Sequence, residues 1–156
     1  MTLAKPLGAG LPVGATLVSA ELAETLQPGD HGSTFGGGPL VLRAVLTFLE
    51  ELLENDLLGA VRARGEELTR GLDELVEAHP GVTERRGVGL MQGLRIPGRH
   101  AAVQAALFEH GVLTCTAGEE VVRFLPPYVI QPEELARALE IVDTTLTQVL
   151  EKEPAS

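Results

Sequence analysis

The sequence predicts an α/β chain, on three observations. Aliphatic residues recur at helical spacing in three long stretches. Short runs rich in Val, Leu and Ile, bounded by Gly and Pro, lie among them. A glycine-rich first quarter fits neither pattern. The chain has 156 residues, 44% of them hydrophobic, which suits a globular protein with a core of its own. Aromatics make up only 3%, with no Trp, so that core must be aliphatic.

The first strand is expected at VGATLVS (13–19). Ser19 then suits the cap of a short helix, SAELAETL. QPGDHGSTFGGGP (27–39) holds two prolines and five glycines in 13 residues, which no regular element tolerates. A helix starts at Pro39, with Leu42, Val45, Leu46, Leu49 and Leu53 as its stripe, and Asn55-Asp56 breaks it. A second helix runs from about Leu57 to Ala78 and stops at HPG (79–81). VTERRGVGLMQGLRI (82–96) reads as two strands or one bent strand, and a third helix fits 99–110. VLTCT and VVRFL are strands joined by AGEE as a hairpin. PEELARALEIVDTTLTQVLEK ends the chain as a helix. Pro132 suits its first position and Glu133 and Glu134 its positive end; Leu135, Leu139, Val142, Leu146 and Val149 form its stripe. Residues 57–156 are expected to be a self-sufficient α/β unit. Residues 1–56, with a lone strand, need a sheet to join.

Composition excludes some functions. A net charge of −10 argues against nucleic acid and against an anionic membrane surface. Scarce aromatics argue against base stacking. No apolar run reaches the roughly 20 residues of a membrane span, and the opening lacks a basic start followed by an apolar run, so no signal peptide is expected. The single Cys115, in LTCTAG, permits no internal disulfide; a buried thiol in a reducing, cytoplasmic setting is expected. His31 has no partner at metal-ligand spacing, so no metal is expected; His31 is read as a loop hydrogen-bonding residue and Asp30 as a turn residue.

Three features bear on chemistry. Lys5, one of two lysines, stands among Leu3, Ala4, Pro6 and Leu7. Apolar surroundings lower an amine's pKa, as a nucleophilic lysine needs, and Pro6 biases Lys5 towards extended backbone at a strand end; the alternative is a terminal lysine of no special role. HGSTFGGG offers the hydroxyls of Ser33 and Thr34 and approachable backbone N–H groups just before a helix start. That describes a phosphate cradle or a structural loop. It is not a P-loop, because no Gly-Lys-Ser/Thr follows. Arg123, in VVRFLPP, is a bidentate carboxylate clamp or an edge-strand arginine facing water. Arg85 and Arg86 read as a solvated strand end.

Taken in order, LAKPLGAGLPVGA, GDHGSTFGGGP, GVGLMQGLRI and VVRFLPPYVIQPEELARALEIV resemble the C-terminal part of the class III pyridoxal-phosphate aminotransferases over nearly the whole chain. The resemblance implies a portion of fold type I: 1–56 from the large cofactor domain and 57–156 as the small C-terminal domain. It implies pyridoxal 5'-phosphate as cofactor and amino-group transfer between an ω-amino acid, such as N-acetylornithine, and 2-oxoglutarate. It makes Lys5 the Schiff-base lysine and Arg123 the residue on the substrate α-carboxylate. It sets Thr34, beside Ser33, on the cofactor phosphate of a neighbouring subunit in a homodimer. Gly38 departs from the family's usual GGNP by one side chain. The stacking aromatic, the acid facing the ring nitrogen and the main phosphate loop belong to the part of the family's chain that precedes the LAK motif. The chain alone is therefore expected to be inactive, and its exposed leucines to promote self-association. A second reading is a non-catalytic small-domain module that packs against a partner polypeptide.

Overall fold

The computed structural model describes residues 1–151. Lys152, at the end of the helix expected from Pro132, lies outside the described residues. The chain divides into two compact units, residues 1–57 and Leu58 onward.

In the first unit, β1 (Thr2–Leu3) pairs antiparallel with β2 (Ala15–Thr16), Thr2 facing Thr16 and Leu3 facing Ala15. The Met1 ammonium extends the ladder by donating to the Leu17 carbonyl at 2.7 Å. The strand expected at 13–19 is thus shorter and not alone, because the chain's own start supplies its partner. A 3-10 helix spans Lys5–Gly8 and buries Leu7 and Gly8. Gly8 is required there: a Cβ would lie 2.6 Å from a Val13 methyl. Next comes α1 (Ala20–Ala23), capped as expected by Ser19, whose Oγ accepts the Leu22 N–H at 3.2 Å.

The stretch from Gln27 to Gly38 contains no helix or strand. Asp30 closes a turn in it by accepting the Gln27 N–H at 2.7 Å. The following α2 (Pro39–Glu54) starts at Pro39, with Gly38 as an N-cap that has no side-chain acceptor to give. It packs on the 3-10 helix yet buries no residue fully. Leu40, Leu46 and Leu53 are 75, 51 and 68% exposed.

The second unit is a four-stranded antiparallel sheet with helices on one face. The hairpin β3 (Glu84–Val88) and β4 (Met91–Arg95) turns through Gly89-Leu90, and the hairpin β5 (Cys115–Ala117) and β6 (Val121–Phe124) turns where AGEE was expected to. The order is β3-β4-β6-β5. Leu94, Val122 and Phe124 point to one face. There they meet Leu68, Leu72 and Leu75 of α3 (Leu57–Ala78), Val103 and Leu107 of α4 (His100–Glu109), and Leu135, Val142 and Leu146 of α5 (Pro132–Leu150). Each of these side chains contributes roughly 1.5–3 kcal/mol on burial. The Gln131–Glu134 capping box secures the start of α5.

One polar cluster breaks the aliphatic core. Gln92, 1% exposed, donates from Nε2 to the Gly65 and Gly89 carbonyls at 3.1 and 2.6 Å and to Thr69 Oγ1 at 2.9 Å. Its Oε1 accepts from Arg85 Nη1 at 3.3 Å, and Arg85 Nε donates to Asp73 at 2.6 Å. Arg85 therefore points inward against α3 rather than forming a solvated strand end with Arg86.

Candidate active site

Lys5 does not take the extended backbone that a following proline favours. It begins the 3-10 helix at φ +54°, in the left-handed region. A non-glycine residue held there costs on the order of 1–3 kcal/mol, and such strain gathers at functional sites. Nor is Lys5 enclosed by apolar groups: residues 3–6 are all exposed, and only Leu7 and Gly8 turn inward. Apolar neighbours in sequence do not make an apolar environment when they face outward. The amine is accessible.

The glycine-rich loop lies in the same unit. Ser33 Oγ accepts the Gly36 N–H at 2.9 Å and shapes a tight turn, which uses the hydroxyl for the loop itself. Thr34 is exposed. At Gly32, Gly37 and Gly38 the space a Cβ would occupy has nothing within 4 Å, so the backbone there is open to close approach. His31 is exposed, and no group of three His, Cys, Asp or Glu among the described residues is placed to hold a metal ion.

Arg123 lies in the second unit. Its strand, β6, is interior, between β4 and β5, so the edge-strand reading fails. Arg123 is half-buried, and its Nε is buried without a hydrogen-bond partner among the described residues. Its cross-strand neighbours are Gly93 on β4 and Cys115 on β5. Gly93, which the sequence offers only as punctuation, makes room beside the arginine for the Val121 side chain. A Cβ there would lie 2.7 Å from a Val121 methyl. Cys115 is exposed, not buried as expected: its strand lies at the sheet edge and it shares Arg123's face, away from the helices. No helix among the described residues is long and apolar enough to cross a membrane.

The first unit thus presents a primary amine and a hydroxyl-bearing glycine loop, and the second, by itself, a guanidinium with an unmet donor. The sequence profile of the family "Aminotransferase class-III" matches residues 1–146, and the chain belongs to that family. Within it, the chain is 44% identical over 144 residues to the acetylornithine aminotransferase of Gloeobacter violaceus, covering 91% of this chain and 36% of the relative. It is 42% identical over 143 residues to the mitochondrial acetylornithine aminotransferase of Alnus glutinosa, covering 91% and 32%. Among solved structures, acetylornithine aminotransferase from Elizabethkingia anophelis superposes with a TM-score of 0.87 at 29% identity, covering 94% of this chain and 40% of that one. Ornithine δ-aminotransferase from Plasmodium falciparum gives 0.90 at 28%, covering 97% and 40%. The chain has the α/β fold of part of a fold type I transferase, and it spans about a third of the length of the curated relatives it matches.

Proposed function

We propose that this chain supplies part of the active site of a pyridoxal-phosphate-dependent aminotransferase. The enzyme would move an amino group between N-acetylornithine, or a related ω-amino acid, and 2-oxoglutarate. The observation that carries the proposal is Arg123: a half-buried arginine whose Nε has no hydrogen-bond partner among the described residues, in a family whose relatives here are named for amino-acid substrates. Residues 1–56 are assigned to the large cofactor domain and 57–156 to the small domain.

The residues present fit the cofactor. Lys5 offers an accessible primary amine on strained backbone, and the open glycine loop offers N–H groups and a hydroxyl suited to phosphate. When bound, pyridoxal phosphate supplies the electron sink that makes the substrate's amino-bearing carbon acidic. Lys5 Nζ would be the attachment point for the cofactor and, as a free amine, would serve as the base that moves a proton at that carbon. Thr34 Oγ1 and nearby backbone N–H groups hold the phosphate of a neighbouring subunit's cofactor, with Ser33 fixing the turn that presents them. Arg123 grips the α-carboxylate in bidentate fashion, which orients the reacting carbon. The assembly is a homodimer with shared sites. The lone Cys115 suits a reducing compartment, assigned here as the cytoplasm.

The test is complementation. The chain alone is expected to form no glutamate from N-acetylornithine and 2-oxoglutarate. Co-expressed with the preceding two-thirds of the Gloeobacter violaceus relative, it should do so, and Lys5→Ala should abolish that turnover. Glutamate formation that survives Lys5→Ala would reject the proposed role.

A further inference from the structure

One histidine of the second unit has its tautomer decided by a buried hydroxyl. His110 follows α4, and its backbone N–H donates to the Ala106 carbonyl at 3.1 Å. Its ring Nδ1 lies 2.9 Å from Thr145 Oγ1 on α5. Thr145 is fully buried, and its hydroxyl donates to the Ile141 carbonyl at 2.7 Å. A hydroxyl has one hydrogen, so towards His110 it can only accept. The proton therefore sits on Nδ1, and in the neutral ring Nε2 keeps a bare lone pair. His110 is exposed, and Nε2 has no hydrogen-bond partner among the described residues.

Helical spacing supplies the surroundings. Glu140, Thr144 and Gln148 recur every four residues on α5, in one stripe beside Ile141 and Thr145. With His110 and Ile141 they line an open pocket of about 390 Å³. The Glu140 carboxylate and the Gln148 amide have no partner among the described residues. The Thr144 hydroxyl donates to the Glu140 carbonyl at 3.0 Å, which leaves its oxygen able to accept. The pocket thus offers an imidazole nitrogen, a carboxylate and two neutral oxygens, and no cationic side chain lines it.

That donor set suits a cation, and the imidazole selects a transition metal over a hard, oxygen-seeking one. A metal-ligating histidine ordinarily passes its other ring N–H to a fixed acceptor, which orients the ring and raises its basicity. Thr145, held by Ile141, is such an acceptor. We infer that His110 Nε2 and the Glu140 carboxylate bind one divalent transition-metal ion in this pocket, linking the end of α4 to α5. No third His, Cys, Asp or Glu among the described residues joins them, so Gln148 and water complete the coordination.

The experiment uses the full chain, nitrogen-15-labelled, with Zn²⁺ alone as probe. Cys115→Ser removes the exposed thiol as a competitor. Long-range imidazole spectra read the four histidines separately. In mildly alkaline buffer without metal, His110 should show a protonated Nδ1 and a bare Nε2. Zn²⁺ should move that Nε2 resonance saturably, at one ion per chain, and Mg²⁺ should leave it in place. His110→Gln should abolish the binding and Glu140→Gln should weaken it. Thr145→Val should weaken it about tenfold, the low end for loss of an outer partner, and Thr145→Ser should restore it. Far-UV circular dichroism checks the fold of each variant, and the unsubstituted spectra decide the tautomer whether or not Thr145→Val folds. A proton on Nε2 in place of Nδ1 overturns the inference. So does Zn²⁺ that reports at His31, His79 or His100 but not at His110, or binding that Glu140→Gln leaves at full strength. Shifts that never saturate mean an adventitious ion only and overturn it as well.

Discussion

Gln92→Met tests what holds β4 against α3. Methionine is also unbranched and of similar length, so it fills the same space and removes only the amide's polar atoms. Four contacts go: the Nε2 donations to Gly65 O, Gly89 O and Thr69 Oγ1, and the Oε1 acceptance from Arg85. They are not equal in consequence. Gly65 O keeps the Thr69 hydroxyl, which donates to it at 2.8 Å, and Arg85 keeps Asp73. Gly89 O, at 2.6 Å from the amide nitrogen, loses the side-chain donor it has in the turn. Two net hydrogen bonds at about 1 kcal/mol each and one stranded acceptor at about 1–3 kcal/mol are partly offset by apolar gain. The expected cost is about 2–4 kcal/mol. Urea unfolding followed at 222 nm measures it. Thr69→Val should be coupled to it by at least about 0.5 kcal/mol in a double-mutant cycle, since the two side chains share a bond and an acceptor. A loss under about 1 kcal/mol, or strict additivity, would refute the claim that this amide pins the hairpin to the helix.

In the complemented enzyme, Lys5→Ala should abolish the pyridoxal adduct that borohydride fixes to the chain, read as the disappearance of the modified Lys5 peptide in mass spectrometry. Arg123→Lys should raise the amino-acid KM by about 10- to 100-fold with cofactor affinity unchanged, because a point-charge ammonium cannot reproduce a bidentate fork; a KM within twofold of wild type would count against the clamp. Glu84 should titrate below an ordinary glutamate and return to normal in Arg86→Gln, as followed by carboxyl NMR; with the folded pKa lowered, its stabilising effect is present at neutral pH and fades as pH falls through that folded value. The chain alone should self-associate through the exposed leucines of α2, and Leu42→Lys with Leu46→Lys should shift sedimentation towards monomer.

The long helices and the β5–β6 hairpin of the second unit were legible because their signals are local, whereas 82–96 read as two strands or one bent strand until the β3–β4 pairing resolved it. Heptad-like aliphatic spacing, Pro132 at a helix start and glycines at turns each act within a few residues. What escaped depends on partners distant in the chain. Nothing in VGATLVS says that Thr2 and Leu3 will pair with it. Nothing in MQGL says that Gln92 will find acceptors on α3, 23 and 27 residues earlier. The proline rule failed at Lys5 because the surrounding structure holds the residue in the left-handed region against its local preference. Cys115 escaped for a related reason: apolar flanks suggest burial, but exposure is decided by which strand becomes the edge. At the candidate site the motif residues were visible in order, while Gly93 beside Arg123 emerged only from strand register.

One close backbone approach in the second unit, between α3 and the β3–β4 turn, limits how this sequence can change. A Cβ on Gly65 would lie 2.8 Å from the Gly89 Cα and 3.1 Å from its carbonyl oxygen. The obstruction is main chain, so no smaller side chain at a neighbouring position can relieve it. Gly89 is itself held at φ +59° to turn the hairpin. The two glycines, 24 positions apart in sequence, therefore behave as one heritable unit. A library that varies the hairpin turn while keeping α3, or the reverse, will be emptied at this pair, whereas one that moves the helix outward by the width of a methyl group must redesign the Gln92 contacts in the same step.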